Sequence, residues 1–478
     1  MPTTASAGRR AGHATALAAA VLLGAACSAA PHATAGSAGS AGTVLYVAPA
    51  GSDSNSGSAS APLRTPQIAV DKLGPAGGTV RFATGTYARQ RIQISNRTHL
   101  TLEALPGATP VLDGTGLVPP GGSTGMVDIR DSSGITVRGL TITGYRTRSL
   151  DAVPIGIYLS GAGDSITLTG NHIHHLGNDN PALGSMDMNA HGLAVYGRDA
   201  RRPFSHIAIA GNELDHLVLG ASESLVVNGN VDGWSVTGNN IHDNNNIGID
   251  AIGFEETISG GARWTEVNRA RHGVIAHNRV SRIVSEGNPA YYEDGEWCNC
   301  ADGIYIDGGE AIQVTGNQVD AADIGIEVAS EWARGRANDV QVTGNTVTRS
   351  RYTGLSLGGY DRERGEAYDI TVSGNTLRGN NTLDDGSPEL LLQYYVHDTV
   401  ITGNTITATN ATPVLLLRDA PAGDAARNAD LLLDRNHYQG PQPAGRAQFQ
   451  WNGATQRGFA AYQSASHQDA HSTYAAVS

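Results

Sequence analysis

Four carboxylates, Asp250, Asp307, Glu327 and Glu331, occur in or just after short alternating segments whose spacing gathers them on one face. Three of these segments open on glycine: Gly248-Ile-Asp-Ala-Ile, Gly303-Ile-Tyr-Ile-Asp and Gly325-Ile-Glu-Val. The same lead recurs as Gly156-Ile-Tyr-Leu, Gly192-Leu-Ala-Val and Gly354-Leu-Ser-Leu. In an extended strand the apolar first and third residues after the glycine turn inward, so the second and fourth turn outward. The outward second row reads Tyr158, Ala194, Asp250, Tyr305, Glu327 and Ser356; Asp307 stands fourth in its segment, and Glu331 lies just past that position in the next. If the segments stack as neighbouring strands, Asp307 is one strand and one outward step from both Asp250 and Glu327, roughly 8 Å between Cα atoms. Carboxyl pairs about 5–9.5 Å apart perform glycoside hydrolysis. Crowding also raises the pKa of one member, leaving a protonated acid beside an ionised base or nucleophile. Two plainer readings of the same residues are a solvated acidic face and a calcium site, since hard oxygen ligands suit that ion.

The elements that must hold these residues are marked by a second repeat. Nine corners carry an asparagine after a small residue and usually a glycine, at Asn171, Asn212, Asn239, Asn278, Asn317, Asn345, Asn375, Asn404 and Asn436. Their separations of 41, 27, 39, 39, 28, 30, 29 and 32 residues describe a coil of variable length with a fixed corner. Alternating runs such as Ile166-Thr-Leu-Thr and Val340-Gln-Val-Thr precede the corners, and Ile173, Ile241, Val319, Val347, Leu377 and Ile406 follow them. Runs of this period joined by Gly, Asn and Asp are strands, not helices. Two or three strands per coil of roughly 22–30 residues predict an all-β parallel β-helix, with the asparagines in line along its axis. A β-sandwich would not repeat its corner chemistry in this way.

Long insertions single out one face. Segments 253–272 and 285–301 exceed what a corner needs, and both lie just before the Asp307 strand. They carry Trp264, Tyr291, Tyr292 and Trp297, with Trp332 and Tyr360 on later coils. Aromatic walls beside an acidic groove suit stacking on sugar rings, although such rings also serve as cover for a solenoid's flank. Tyr305, Trp297, Trp332, Tyr360, Arg271 and His272 are the expected substrate contacts, and a carbohydrate is the expected partner.

Composition is consistent with this architecture. Glycine is 61 of 478 residues, nearly twice the average of about 7%, and suits a corner-rich fold. Only five Phe and four Met are present, so the core must be built from stacked Ile, Val and Leu. A net charge of -13 disfavours nucleic acid and anionic membrane surfaces as partners. Residues 1–35 read as an export signal: Arg9-Arg10, an alanine-rich apolar stretch over 14–26 too short to span a membrane, and a small-residue cleavage site at Ala33-Thr34-Ala35. The expected location is extracellular. Leu23-Gly-Ala-Ala-Cys27 resembles a lipoprotein signal, which would instead anchor the chain through Cys27. A Gly/Ser linker over 36–42 leads to a solenoid over 43–440 and a tail over 441–478 that packs on the last coils. Cys298 and Cys300 form a Cys-x-Cys pair, short of the ligands of a structural zinc site and open to a local disulfide.

The opening Leu45-Tyr-Val-Ala-Pro-Ala-Gly-Ser-Asp-Ser-Asn-Ser-Gly57, the Pro62-Leu-Arg-Thr-Pro66 segment and Gly74-Pro-Ala-Gly-Gly-Thr-Val80 closely resemble the start of secreted pectate-lyase-like right-handed β-helix proteins. The resemblance implies a right-handed solenoid in which residues 67–73 form an N-terminal cap helix. It extends to the tail, through Phe449-Gln-Trp451 and Phe459-Ala-Ala-Tyr462. Gly303-Ile-Tyr-Ile-Asp307-Gly-Gly also resembles a motif of β-helix glycosidases related to a β-xylosidase family. There the matching Asp is catalytic and an acid/base Glu follows about one coil later, a role that Glu327 or Glu331 would fill.

The rival chemistry is β-elimination from an acidic polysaccharide, which in lyases on this fold takes a Lys or Arg base, often with calcium. The chain's one lysine, Lys72, lies within the predicted cap. Of the Asp-Asp-Gly-x-Asp calcium motif of one pectate-lyase family, Asn246-Ile-Gly-Ile-Asp250 keeps the Gly and the last carboxylate. Arg271 and His272 remain as bases for elimination. A non-catalytic glycan-binding surface protein is the third class, and it predicts no convergent carboxylates. Acid/base hydrolysis requires no cofactor, and no residue is assigned as a metal ligand; calcium is the ion this oxygen-rich set would accept.

Overall fold

The computed structural model describes residues 42–477 apart from 259, 411–413 and 421–422. The expected export signal, Cys27 and nearly all of the linker lie outside the described residues. From Gly42 onward the chain winds through three sheets of 13 strands each, in which almost every neighbouring pair is parallel. One sheet carries the strands before the asparagine corners, such as Gly163–Thr169 and Arg336–Thr343. A second carries the short strands after them, such as His172–His174 and Thr346–Thr348. The third carries the glycine-led segments, including Ile249–Ile252, Asp302–Asp307, Ile324–Ala329 and Thr353–Leu357.

The corner asparagines stack in one continuous ladder. Each donates its Nδ2 to the Oδ1 of the next, as Asn239 does to Asn278 at 3.0 Å and Asn278 to Asn317 at 3.0 Å. The same Oδ1 also accepts the backbone N–H of the preceding coil's asparagine, for example Asn239 N to Asn278 Oδ1 at 2.9 Å. The nine asparagines of the ladder are all buried, so every amide must find such partners. The residue before the asparagine adopts the left-handed region, φ 61° at Gly170 and φ 64° at Gly344, which favours glycine there. His277 and Arg435 take the same conformation at φ 56° and 57° in the two corners that lack glycine. The ladder closes at the tail, where Asn436 Nδ2 donates to Asp469 Oδ1 at 3.0 Å.

The interior is built from registered apolar rows. Ile249, Ile304, Ile326, Leu355, Leu390 and Leu416 are successive partners across the third sheet, and all are buried. Burial of such side chains contributes about 1.5–3 kcal/mol each and holds the opposite, outward row in fixed register. An α-helix over Pro66–Leu73 buries Ala69, Val70 and Leu73 against the first strands of the chain. The tail adds strands: Gln448–Trp451 extends the third sheet and Thr473–Ala476 the second. Between them the helix Phe459–Ser466 stacks Tyr462 on Phe449 at 4.3 Å.

Within the run of glycine-led segments from Gly156 to Gly354, the third sheet holds one strand that the repeat does not show. Leu225–Gly229 stands between His191–Gly197 and Ile249–Ile252, so Val226 separates Ala194 from Asp250 in the outward row. Ser224 replaces the leading glycine in that coil, which hid the repeat.

Candidate active site

The third sheet presents an acidic floor. Asp250, Tyr305, Glu327 and Ser356 are direct lateral partners on four successive strands. Asp307 pairs with Ala329, two residues beyond Glu327, which leaves the Asp307 and Glu327 Cα atoms diagonal neighbours roughly 8 Å apart. The structure therefore brings Asp250, Asp307, Glu327 and Glu331 together, with Tyr305 between them. The Asp307 Oδ1 accepts the backbone N–H of Glu331 at 2.8 Å, which fixes the carboxyl's direction.

Three further carboxylates complete the floor: Asp302, Glu223 and Glu255. Asp302 and Glu223 both stand immediately before the leading position of their coils, at Gly303 and Ser224. Strict alternation from the inward first residue would turn that position into the core. Instead Asp302 hydrogen-bonds the carboxyl of Glu327 on the outward face. The position before the leading residue reads Ile155, His191, Glu223, Ile247, Asp302, Ile324 and Thr353, and its polar members in an otherwise apolar row were the signal available in the sequence. Glu255 comes from the insertion after Ile249–Ile252 and is held by the Nδ2 of Asn228.

Burial governs the electrostatics. Asp250, Asp302 and Asp307 are 2%, 3% and 4% exposed. Loss of hydration pushes all three well above the usual carboxylate range, and repulsion from neighbouring carboxylates adds to it. Glu327 is pushed up to about 7, again chiefly by burial, while its hydrogen bond with Asp302 opposes the rise. Glu331 has solvent access at the mouth, so water screens it more than the others; desolvation still raises its pKa, against the pull of Arg364. One Oδ1 of Asp250 is buried with no hydrogen-bond partner. Among the described residues, the trios of His, Asp and Glu whose donor atoms all fall within 4.8 Å of one another lie elsewhere, so the close approach of Asp302 to Glu327 is that of a pair.

The insertions supply the walls. Asp323 Oδ2 clips the base of 285–301 by accepting from Ser285 N at 2.7 Å, Ser285 Oγ at 2.6 Å and Ala301 N at 3.2 Å. Asn288 Nδ2 ties its middle to the carbonyls of Asn245 and Gly220 at 2.7 and 2.8 Å. Tyr291 Oη accepts from Asn246 Nδ2 at 3.4 Å, and burial, with the charges of Glu331, Glu223 and Asp302 adding to it, pushes its phenol well above the usual range. From the other insertion, Arg269 is fully buried and donates to the carbonyls of Gly308 at 2.8 Å, Gly309 at 2.9 Å and Arg336 at 2.9 Å. It thus fastens the corner that immediately follows Asp307.

Of the remaining expected contacts, Arg271 and His272 do not belong to this floor. Tyr360 is exposed, with the Arg364 guanidinium 4.6 Å above its ring, and burial followed by the charge of Glu331 raises its pKa. Trp332 packs edge-on to Trp264 with Arg263 4.3 Å over it. Trp297 pairs with Tyr292 at 4.6 Å in the small hairpin at the tip of 285–301, beside the bonded Cys298 and Cys300. Arg271 and His272 belong to the sheet that precedes the asparagine corners. There Asp232 holds both, at 3.2 Å from Arg271 Nε and 2.6 Å from His272 Nδ1.

Three long parallel sheets around one apolar interior define a right-handed parallel β-helix. No protein-family model matches the chain. It is 33% identical over 438 residues to the uncharacterized protein YwoF of Bacillus subtilis (strain 168), an alignment that spans 91% of this chain and 88% of that protein. The chain belongs to the same family as YwoF. Similar solved structures include PfbA, a surface adhesin of Streptococcus pneumoniae, at 12% identity and TM-score 0.51, covering 82% of this chain and 89% of that one. The GH136 lacto-N-biosidase from Eubacterium ramulus is likewise 12% identical at TM-score 0.51, covering 91% of this chain and 67% of that one. At such identities the likeness is one of fold.

Proposed function

We propose that the chain is an exported carbohydrate-active enzyme that hydrolyses glycosidic bonds with the carboxylates of the third sheet. The observation that carries this reading is the diagonal pair Asp307 and Glu327, buried in the outward row at a spacing compatible with glycoside hydrolysis. Glu327, with a pKa near neutrality and a hydrogen-bonded Asp302 beside it, is the proton donor to the departing glycosidic oxygen. Asp307, oriented by the Glu331 N–H, serves as nucleophile or as the base that activates water at the anomeric carbon. Asp250 and Glu331 hold the proton balance of the pair through charge repulsion.

Two placements weigh against elimination as the chemistry. Lys72 donates to Asn55 O at 3.0 Å beside the first coils, and Arg271 and His272 are engaged by Asp232 on another sheet. The density of carboxylates also favours neutral or amino sugars over uronates, whose charge the floor would repel. Export rests on the Arg9-Arg10 and 14–26 signal pattern.

The test is a glycan panel read for both reducing ends and ultraviolet absorbance, with Asp307→Asn and Glu327→Gln as variants. New reducing ends without absorbance, lost in both variants, is the expected result. An absorbing, unsaturated product would replace hydrolysis with elimination.

A further inference from the structure

A second cluster of chemistry-bearing side chains lies on the second sheet, apart from the acidic floor. His172, Glu213 and Asn240 are lateral partners there, as are His174, Asp215 and His242. The corner residues that follow, His175, His216 and Asp243, all take the left-handed conformation at φ 52°, 51° and 55°. Three successive coils thus project five imidazoles and three carboxylates from one surface. The His175 and His216 rings stack at 4.8 Å with 8° between their planes, and both are exposed. Asp215 beneath them is buried and bridges outward, with one oxygen on His216 Nδ1 and the other 2.6 Å from His172 Nε2.

We propose that this surface holds a divalent transition-metal ion of the zinc class, ligated by His175, Asp215 and His216. Each of the three offers a donor atom within 4.8 Å of the other two, a set that modest side-chain movement closes around one ion. Two imidazole nitrogens and one carboxylate oxygen are borderline donors suited to zinc and its neighbours, and unsuited to calcium or magnesium. Glu213, Asp215 and His242 also approach within 4.8 Å of one another, but that trio offers a single nitrogen and ranks second on donor chemistry.

His172 orients the Asp215 carboxylate from its far oxygen, the arrangement that commonly supports a ligating group. An ion here would join the coil of His175 to the coil of Asp215 and His216, and its binding would therefore register as stability.

The experiment uses the full chain after chelator treatment. Zinc chloride is titrated calorimetrically, and the melting temperature is followed with and without the ion. Micromolar binding with a raised melting temperature is expected. In His175→Ala/His216→Ala, two exposed positions whose loss leaves the core untouched, one equivalent of zinc and the thermal gain should both vanish. Asp307→Asn should retain both, which separates this surface from the acidic floor. The proposal is overturned if the double variant, shown folded by circular dichroism, binds zinc as before. It is also overturned if the parent chain takes zinc only at millimolar concentration, or if excess calcium displaces it.

Discussion

The second and third sheets carry acids in the same strand geometry, a lateral step apart, yet their carboxyls behave in opposite ways. On the third sheet Asp250, Asp302, Asp307 and Glu327 are all raised, with loss of hydration the largest cause for each. On the second sheet Asp243 and Asp320 are lowered, first by hydrogen bonds from Arg282 and Arg349 standing one coil further on. The difference lies in cover and company. Insertions 253–272 and 285–301 wall the third sheet, and their arginines are engaged away from its acids, Arg263 on Phe254 O, Arg269 on Gly308 O and Arg271 on Asp232, whereas on the second sheet Asp243 and Asp320 each meet an arginine one coil on. In a solenoid the residue type at a position is only half the chemistry; the loop above it and the residue one coil away set the rest.

The largest effect expected from breaking this contrast is on turnover. Asp307→Asn removes a group that acts only in the reaction, so kcat should fall by about 10²–10⁴-fold or more, while the melting temperature stays level or rises as a buried repulsion disappears. A stable variant with undiminished kcat would remove Asp307 from the chemistry. Next comes the wall itself. Asp323→Ala strands the Ser285 and Ala301 donors, a loss of about 3 kcal/mol in chemical denaturation, and a loosened 285–301 segment should raise KM more than it lowers kcat.

The pH dependence of stability should differ in sign between the two faces. Glu327 titrates near 4.5 when unfolded and at about 7 when folded. Between those values the native state binds more protons, so stability present at the acid end is lost as pH rises toward about 7. Thermal melts across this window should show that decline, and Glu327→Gln should flatten part of it. A slope identical in the variant would place the raised groups elsewhere. Asp243, lowered in the fold, contributes in the opposite sense: its stabilisation is present above the ordinary Asp range and fades as pH falls below it. The smallest effect belongs here. Asp243→Asn should cost less than about 1 kcal/mol, because its partner Arg282 is solvent-exposed and water screens the pair.

How much of this was legible in the sequence depended on whether a residue type repeated. The asparagine corners and the Ile304-Ile326-Leu355 row announce themselves because each coil restates them, and the outward positions of Asp250, Asp307 and Glu327 follow by counting. Asp302 and Glu223 escaped because the residue before the leading glycine breaks the alternation, and no period-two rule places it outward. Glu255 sits in an insertion, where no coil supplies a template. Arg271 and His272 appeared close to the acidic strand in sequence, yet the corner between the sheets turns them toward Asp232.

The asparagine ladder also says how this protein could change length. Every internal rung receives from one side and gives to the other, so its donor and acceptor count is the same wherever it stands. Duplicating or deleting a coil together with its asparagine leaves no amide unmatched. The final rung is different in kind: Asp469 takes the last amide together with the hydroxyls of Tyr438, Tyr462 and Ser472, and has nothing to hand on. The interior of the ladder is therefore a place where a lineage can insert or excise coils, while the terminating aspartate must travel with the tail as a fixed stop.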